Sequence, residues 1–249
     1  MNLISLKKEL NLLKDRNQAK ILKRFFKTGK GEYGEGDIFL GIKVPIQRVI
    51  AKKYIKLSLR NIQILLKSKI HEHRLVALII MTKQYKMGDE KKETALFRLY
   101  IKNYKNIDNW DLVDLSAPHI VGAYLLNRSK KILYDFARST DLWKKRIAII
   151  STLAFIRSNK FDDTLHLAEI LLDDTHDLIH KAVGWMLREV GKRDQTKEEQ
   201  FLKRYYKKMP RTMLRYAIER FPEMRRKAYL EGRMSYPLSA KDTLDRHIK

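Results

Sequence analysis

The chain has 249 residues and carries 53 Lys and Arg against 29 Asp and Glu, a formal net charge of +24 at neutral pH. A surface this positive points to a polyanionic partner, while 44% hydrophobic residues place the chain outside the regime of disordered basic tails. The absence of cysteine excludes a disulfide framework, thiolate zinc sites, iron–sulfur clusters and cysteine nucleophiles, and agrees with a reducing cytosol.

Glycine (10) and proline (5) are scarce, which predicts long helices with short connections. The opening segment, Leu3 to Phe26, spaces Leu3, Leu6, Leu10, Leu13, Ile21, Leu22, Phe25 and Phe26 mostly by three or four, the pattern of an amphipathic helix or helix pair. Lys27 to Asp37, KTGKGEYGEGD, holds four of the ten glycines and reads as a loop. Phe39-Leu-Gly-Ile-Lys-Val-Pro45 then leads into a helix that Pro45 opens at its first turn. Beyond it the chain reads as helix after helix, with no sustained period-two alternation and so essentially no sheet. The amino terminus lacks the apolar region of a signal peptide. The longest clean apolar run, Leu75 to Met81, is too short to span a bilayer, so the expectation is a cytoplasmic protein with no membrane partner.

Four segments repeat one another: HEHRLVALII from His71, DNWDLVDLSA from Asp108, LWKKRIAIIS from Leu142 and LIHKAVGWML from Leu178. With Arg74, Asp111, Arg146 and Lys181 as equivalent positions the intervals are 37, 35 and 35, and Arg215 follows 34 further on in a weaker copy. That period is near two helices and two turns, which predicts an all-α fold, an α-solenoid of stacked helical pairs with a concave basic groove. Arg74, Arg146, Lys181 and Arg215 would line the groove, and Asp111 and Asp114 interrupt them. A carboxylate in such a groove repels phosphate, so it needs a reason. Asp111 could cap a helix or pair with an arginine, or the acidic pair could stabilise cationic character in a bound nucleotide.

The three tryptophans are Trp110, Trp143 and Trp185. Trp143 reads as a packing residue at a helix start. Trp110 and Trp185 could be core, or could offer indole faces to a cation or a sugar. His176 and His180 stand at a metal-compatible spacing but lack a third ligand, so no metal is expected. His71-Glu-His73 opens a helix and is read as exposed or interhelical. No glycine-rich motif opens a helix to cradle phosphate, and no cofactor is implied.

The segments Asn109-Trp-Asp-Leu-Val-Asp114, Leu142-Trp-Lys-Lys-Arg-Ile-Ala148 and Lys181-Ala-Val-Gly-Trp-Met-Leu-Arg-Glu189 resemble those of the AlkD-type DNA alkylation-repair glycosylases, as does Phe39-Leu-Gly-Ile-Lys-Val-Pro-Ile-Gln-Arg48. The resemblance spans roughly residues 5 to 220 and implies HEAT-like repeats. It further implies a metal-independent, monofunctional N-glycosylase that removes cationic alkylated purines from duplex DNA without inserting the base into a pocket. On this resemblance Asp114 is the catalytic carboxylate, Trp110 and Trp185 are aromatic walls, and Arg146 is the basic member of the site. Arg48, Lys52, Arg74, Lys181, Arg188 and Arg215 are the expected DNA contacts. Val44 stands where some members carry a hydroxyl residue, and the glycine-rich loop is long. The expected organisation is a monomer with one domain over 1–225 and a basic extension over 226–249, helical in part or disordered. Two other readings share the shape: a non-catalytic protein that binds distorted or branched DNA, and a scaffold for an acidic protein.

Overall fold

A computed structural model describes residues 2–234 and is all-helical. Among the described residues the β structure is a single isolated bridge between Ile38 and Ile70. The helices group into two compact units, residues 1–171 and residues from 172 onward. The first begins with α1 (Leu3–Leu12), α2 (Arg16–Phe25), α3 (Val44–Lys53), α4 (Leu59–Leu66), α5 (His71–Met87) and α6 (Glu90–Lys102). It continues with α7 (Trp110–Ala117), α8 (Ala123–Leu125), α9 (Lys131–Ala137), α10 (Leu142–Ser151), α11 (Leu153–Arg157) and α12 (Asp162–Ile170). The second holds α13 (Asp177–Gly191), α14 (Gln195–Tyr205), α15 (Arg211–Ala217) and α16 (Glu223–Leu230).

The four repeated segments begin α5, α7, α10 and α13, and the weaker copy is α15. Within the first unit α5 packs on α7 and α7 on α10; within the second α13 packs on α15. This is solenoid-like stacking of successive repeats. The run Leu75 to Met81 is buried on every side because α3, α4, α6 and α7 all pack against α5. Local chemistry places the helix ends: Asp15, Asp89, Asp141 and Asp194 cap α2, α6, α10 and α14 through their side chains, and Pro45 sits in the first turn of α3.

The opening segment is a pair, α1 and α2, and its apolar stripe is only partly used. Leu6 and Leu10 are fully buried, whereas Ile21 and Phe25 of α2 are 58% and 60% exposed. Of the two readings of His71-Glu-His73, the exposed one is corrected, since all three side chains are buried, and the interhelical one holds for His71, which reaches Asp111 of α7. The Glu72 carboxylate accepts the backbone N–H groups of Leu40, Gly41 and Ile42 at 2.9, 2.8 and 3.2 Å, which ties the segment before α3 to the start of α5. Gly41, at φ +88°, makes that turn possible. The boundary expected at 225/226 falls inside α16, and residues 235–249 of the expected extension lie outside the described residues.

α7 runs into α8 through a single π-helical turn, Pro118–Gly122. Pro118 has no N–H for the carbonyl four residues back, that of Asp114, and widening the turn accommodates the defect. Gly122 then lies so close to α10 that a Cβ would stand 2.0 Å from the Ser151 carbonyl oxygen. Gly122→Ala is therefore expected to cost about 2–3 kcal/mol, a fall in Tm of roughly 5–10 °C in a thermal melt.

Candidate functional site

Asn109 caps α7, its side-chain oxygen accepting the Trp110 N–H at 2.8 Å, so the first turn presents Trp110 and Asp111, with Asp114 one turn further on. Arg146 reaches across from α10. Its Nε and Nη2 donate to Asp114 Oδ1 and Oδ2 at 2.9 and 2.7 Å, a two-point pair with the guanidinium nearly fully buried. Asp114 is the fifth residue of α7 and Arg146 the fifth of α10, so the pair joins equivalent positions of adjacent repeats. The alignment by sequence had given this register to Asp111. Burial pushes the Asp114 carboxyl up, the Arg146 guanidinium opposes that, and the neighbouring Asp111 adds to the upward shift.

Asp111 pairs with a histidine rather than with an arginine. His71 Nε2 lies 2.8 Å from Asp111 Oδ2, and its Nδ1 lies 3.0 Å from Asp37 Oδ2 at the end of the glycine-rich segment. Arg74 occupies the other Asp37 oxygen at 2.6 Å, approaches Asp108 at 3.2 Å, and donates to the Ser68 carbonyl at 3.1 Å. Burial opposes charge on His71, but Asp111 and Asp37 overcome it and raise the imidazole to about 9. His73, two residues on, is buried near Lys7 and Lys14 without a carboxylate partner and falls to about 4. The expected groove position of Arg74 is corrected here: its side chain is buried and its donors serve an internal network, so it presents no charge to a phosphate.

Two clefts of the first unit meet at Asp114 and Leu115. One, of about 520 Å³, is apolar and lined by Leu22, Phe25, Phe26, Phe39, Val44, Pro45, Trp110 and Asp111 among others. Trp110 packs on the rings of Phe25 and Phe26 at centroid distances of 5.8 and 5.3 Å. The other, of about 740 Å³, is basic: Arg48, Lys83, Lys86 and Arg157 line it, with His119 between them. Burial first, then Arg157 and Arg48, hold His119 below its ordinary pKa. Lys52 is exposed on α3 beside Arg48. Trp143 is half-buried and touches Tyr33 of the glycine-rich segment at 6.2 Å.

Trp110, Asp114 and Arg146 thus stand together in the first unit. Trp185, Lys181, Arg188 and Arg215 belong to the second. There the half-buried Trp185 donates from its indole N–H to Glu189 at 3.1 Å, Lys181 pairs with Asp177 at 2.6 Å, Arg188 pairs with Glu219, and Arg215 is exposed. Gly184 lets α13 close onto α15, since a Cβ there would meet the Met213 carbonyl oxygen at 2.4 Å. His176 caps α13 by accepting the Leu178 N–H, and His180 bonds the Asp174 carbonyl. Among the described residues no group of three or more His, Asp or Glu side chains is arranged to hold a metal. No helix is long and apolar enough to cross a membrane. Sequence reasoning missed Asp37, His71, Phe25 and the Lys83–Lys86–Arg157 lining; only the HEH triplet and the glycine-rich run flagged part of it.

Residues 6–221 match the model of a protein family described as DNA alkylation repair enzyme. The chain belongs to the DNA alkylation repair enzyme family. A solved structure described as a predicted DNA alkylation repair enzyme from Enterococcus faecalis is similar to it over 84% of this chain and 97% of that one. The two share 17% identity with a TM-score of 0.67, a likeness of fold. No curated protein matches the chain. Membership in the DNA alkylation repair enzyme family gives the chain a role in DNA repair and DNA as its substrate, which suits a basic cleft that ends on a carboxylate.

Two tests follow from the buried charges. Arg146→Ala strands Asp114 and is expected to cost about 3 kcal/mol in urea denaturation, whereas Arg146→Met with Asp114→Leu recovers most of that loss. The raised pKa of His71 means its contribution to stability is complete below about 6.5 and is lost as pH rises through about 9. Tm should fall over that interval in the parent, and Asp111→Asn should flatten the fall.

Proposed function

We propose that this chain is an AlkD-type DNA N-glycosylase that hydrolyses the bond between deoxyribose and a cationic alkylated purine, chiefly 3-methyladenine and 7-methylguanine, in duplex DNA. Alkylation at N3 or N7 leaves the purine positively charged and already a good leaving group, so no general acid and no metal are required. As the C1′–N bond breaks, its electron pair neutralises the purine and the sugar becomes oxocarbenium-like. Water then bonds to C1′ and loses a proton, giving an abasic site and a free base. The catalytic demand is thus for a fixed anion beside the sugar and for donors on the phosphates. Asp114 supplies the anion and orients the water, Arg146 holds its two oxygens, and the Trp110 indole face favours the positive sugar.

The observation that carries the reading is that Asp114 borders both clefts, with four cationic side chains on one side and Trp110 on the other. Phosphates along Arg48, Lys83, Lys86 and Arg157 bring a deoxyribose to the carboxylate. Lys52, and from the second unit Lys181, Arg188, Arg215 and Trp185, are further proposed DNA contacts. Lesion choice then follows the weakness of the glycosidic bond rather than a base-reading cavity. The apolar lining beside Trp110 supports this, because it offers few groups to read a base edge. The protein acts as a monomer, since one chain carries the carboxylate and its cations.

The test is release of free methylated bases from alkylated duplex DNA without added metal, comparing the parent with Asp114→Asn at equal DNA occupancy. Release by the parent, a loss of about a hundredfold or more in the variant, and DNA affinity with a log–log salt slope of about −4 or steeper are expected. Salt-steep binding without release by the parent would mean a non-catalytic protein for distorted or branched DNA. Shallow binding would leave the acidic-partner reading.

A further inference from the structure

We propose that His71 is a cationic positioning residue that sets the charge state of the Asp111–Asp114 face of α7. The argument is one of donors. A neutral imidazole carries a single N–H, yet both ring nitrogens of His71 face carboxylate oxygens, Asp37 at 3.0 Å and Asp111 at 2.8 Å. With both carboxylates ionised, neither can donate, so both contacts are hydrogen bonds only when both nitrogens are protonated. The ring cannot turn away. It is 2% exposed and stacked on Phe39 and Phe26 at 4.6 and 5.1 Å, and Phe26 in turn packs on Trp110.

The other charges around the ring are already committed. Arg74 holds the second Asp37 oxygen and reaches Asp108, Glu72 is taken by three backbone N–H groups, and the second Asp111 oxygen accepts the Leu112 N–H at 2.8 Å. With His71 neutral, Asp111 would be an uncompensated anion one turn from Asp114, and like charge drives a partly buried carboxyl toward its protonated form. Asp114 would then hold the negative charge it offers the sugar only at higher pH. Protonated His71 cancels Asp111 from behind and leaves Asp114, held by Arg146, as the anion of the site. The link to catalysis rests on the glycosylase reading; the charge-state claim does not.

The first arm needs no activity. Long-range proton–nitrogen NMR of the full chain at pH 7.5 should show both ring nitrogens of His71 protonated, and carboxyl carbon titration should show the Asp114 midpoint rising by about one unit in His71→Gln. A neutral His71 ring, or an Asp114 midpoint unmoved by the substitution, would overturn the proposal. Should His71→Gln fail to fold, Asp111→Asn serves in its place. It should lower the His71 midpoint by at least about one unit, and an unmoved midpoint is equally fatal. The second arm is single-turnover base release from pH 5 to 10. His71→Gln should show an acid limb about one unit higher than that of the parent. Identical profiles refute the positioning role. No release by the parent, with a doubly protonated His71 and a shifted Asp114, would instead count against the glycosylase reading alone.

Discussion

Burying an ion costs several kcal/mol unless a partner of opposite sign and a full set of hydrogen bonds come with it. The first unit supplies the partner of opposite sign three times, with Arg74 and His71 on Asp37, His71 on Asp111, and Arg146 on Asp114. The partners come from different elements, the glycine-rich segment, α5, α7 and α10, so no element can shift without stranding a charge. Apolar packing alone would let α7 slide or rotate against α5 and α10 at modest cost. The ion pairs define one register, and that register orders Trp110, Asp111 and Asp114 along the cleft.

The same constraint explains how a basic protein keeps a carboxylate at the end of its basic cleft. An isolated Asp114 would be drawn toward protonation by burial and by Asp111. Two-point contact with Arg146 opposes that pull and fixes the plane of its oxygens, so the geometry that stabilises the fold also orients the carboxylate. The π turn at Pro118 begins four residues later, where the backbone must depart from regular helix to bring Gly122 against α10.

Much of this was legible in the sequence. Helical periodicity and a period of about 35 placed α5, α7, α10, α13 and α15, because the repeat is a property of local spacing. Trp110, Asp114 and Arg146 came from segments specific enough to stand out. What was not legible is pairing at a distance. Arg74 looks like one of a line of surface cations, and nothing near it says that Asp37, 37 residues earlier, takes its guanidinium inside. His71 bridges Asp37 and Asp111 across 34 and 40 residues, a relation carried by tertiary packing alone. Phe25 belongs to the apolar stripe of its helix, yet is exposed because it faces a cleft rather than a helix.

Among the described α-helices α2 alone buries none of its residues fully, although Gln18, Leu22 and Phe25 form part of the wall of the apolar cleft. The opposite wall is α7, backed by α5 and α10 and locked by ions. The cleft therefore has one stiff side and one compliant side. With its start seated on Gly41 and its C-cap Phe26 stacked on Phe39 and His71, α2 is held at both ends, and the compliance lies in the half-buried and exposed side chains between them. The width of the space beside Trp110 is accordingly expected to vary more than the position of the carboxylate, which Arg146 holds at two points.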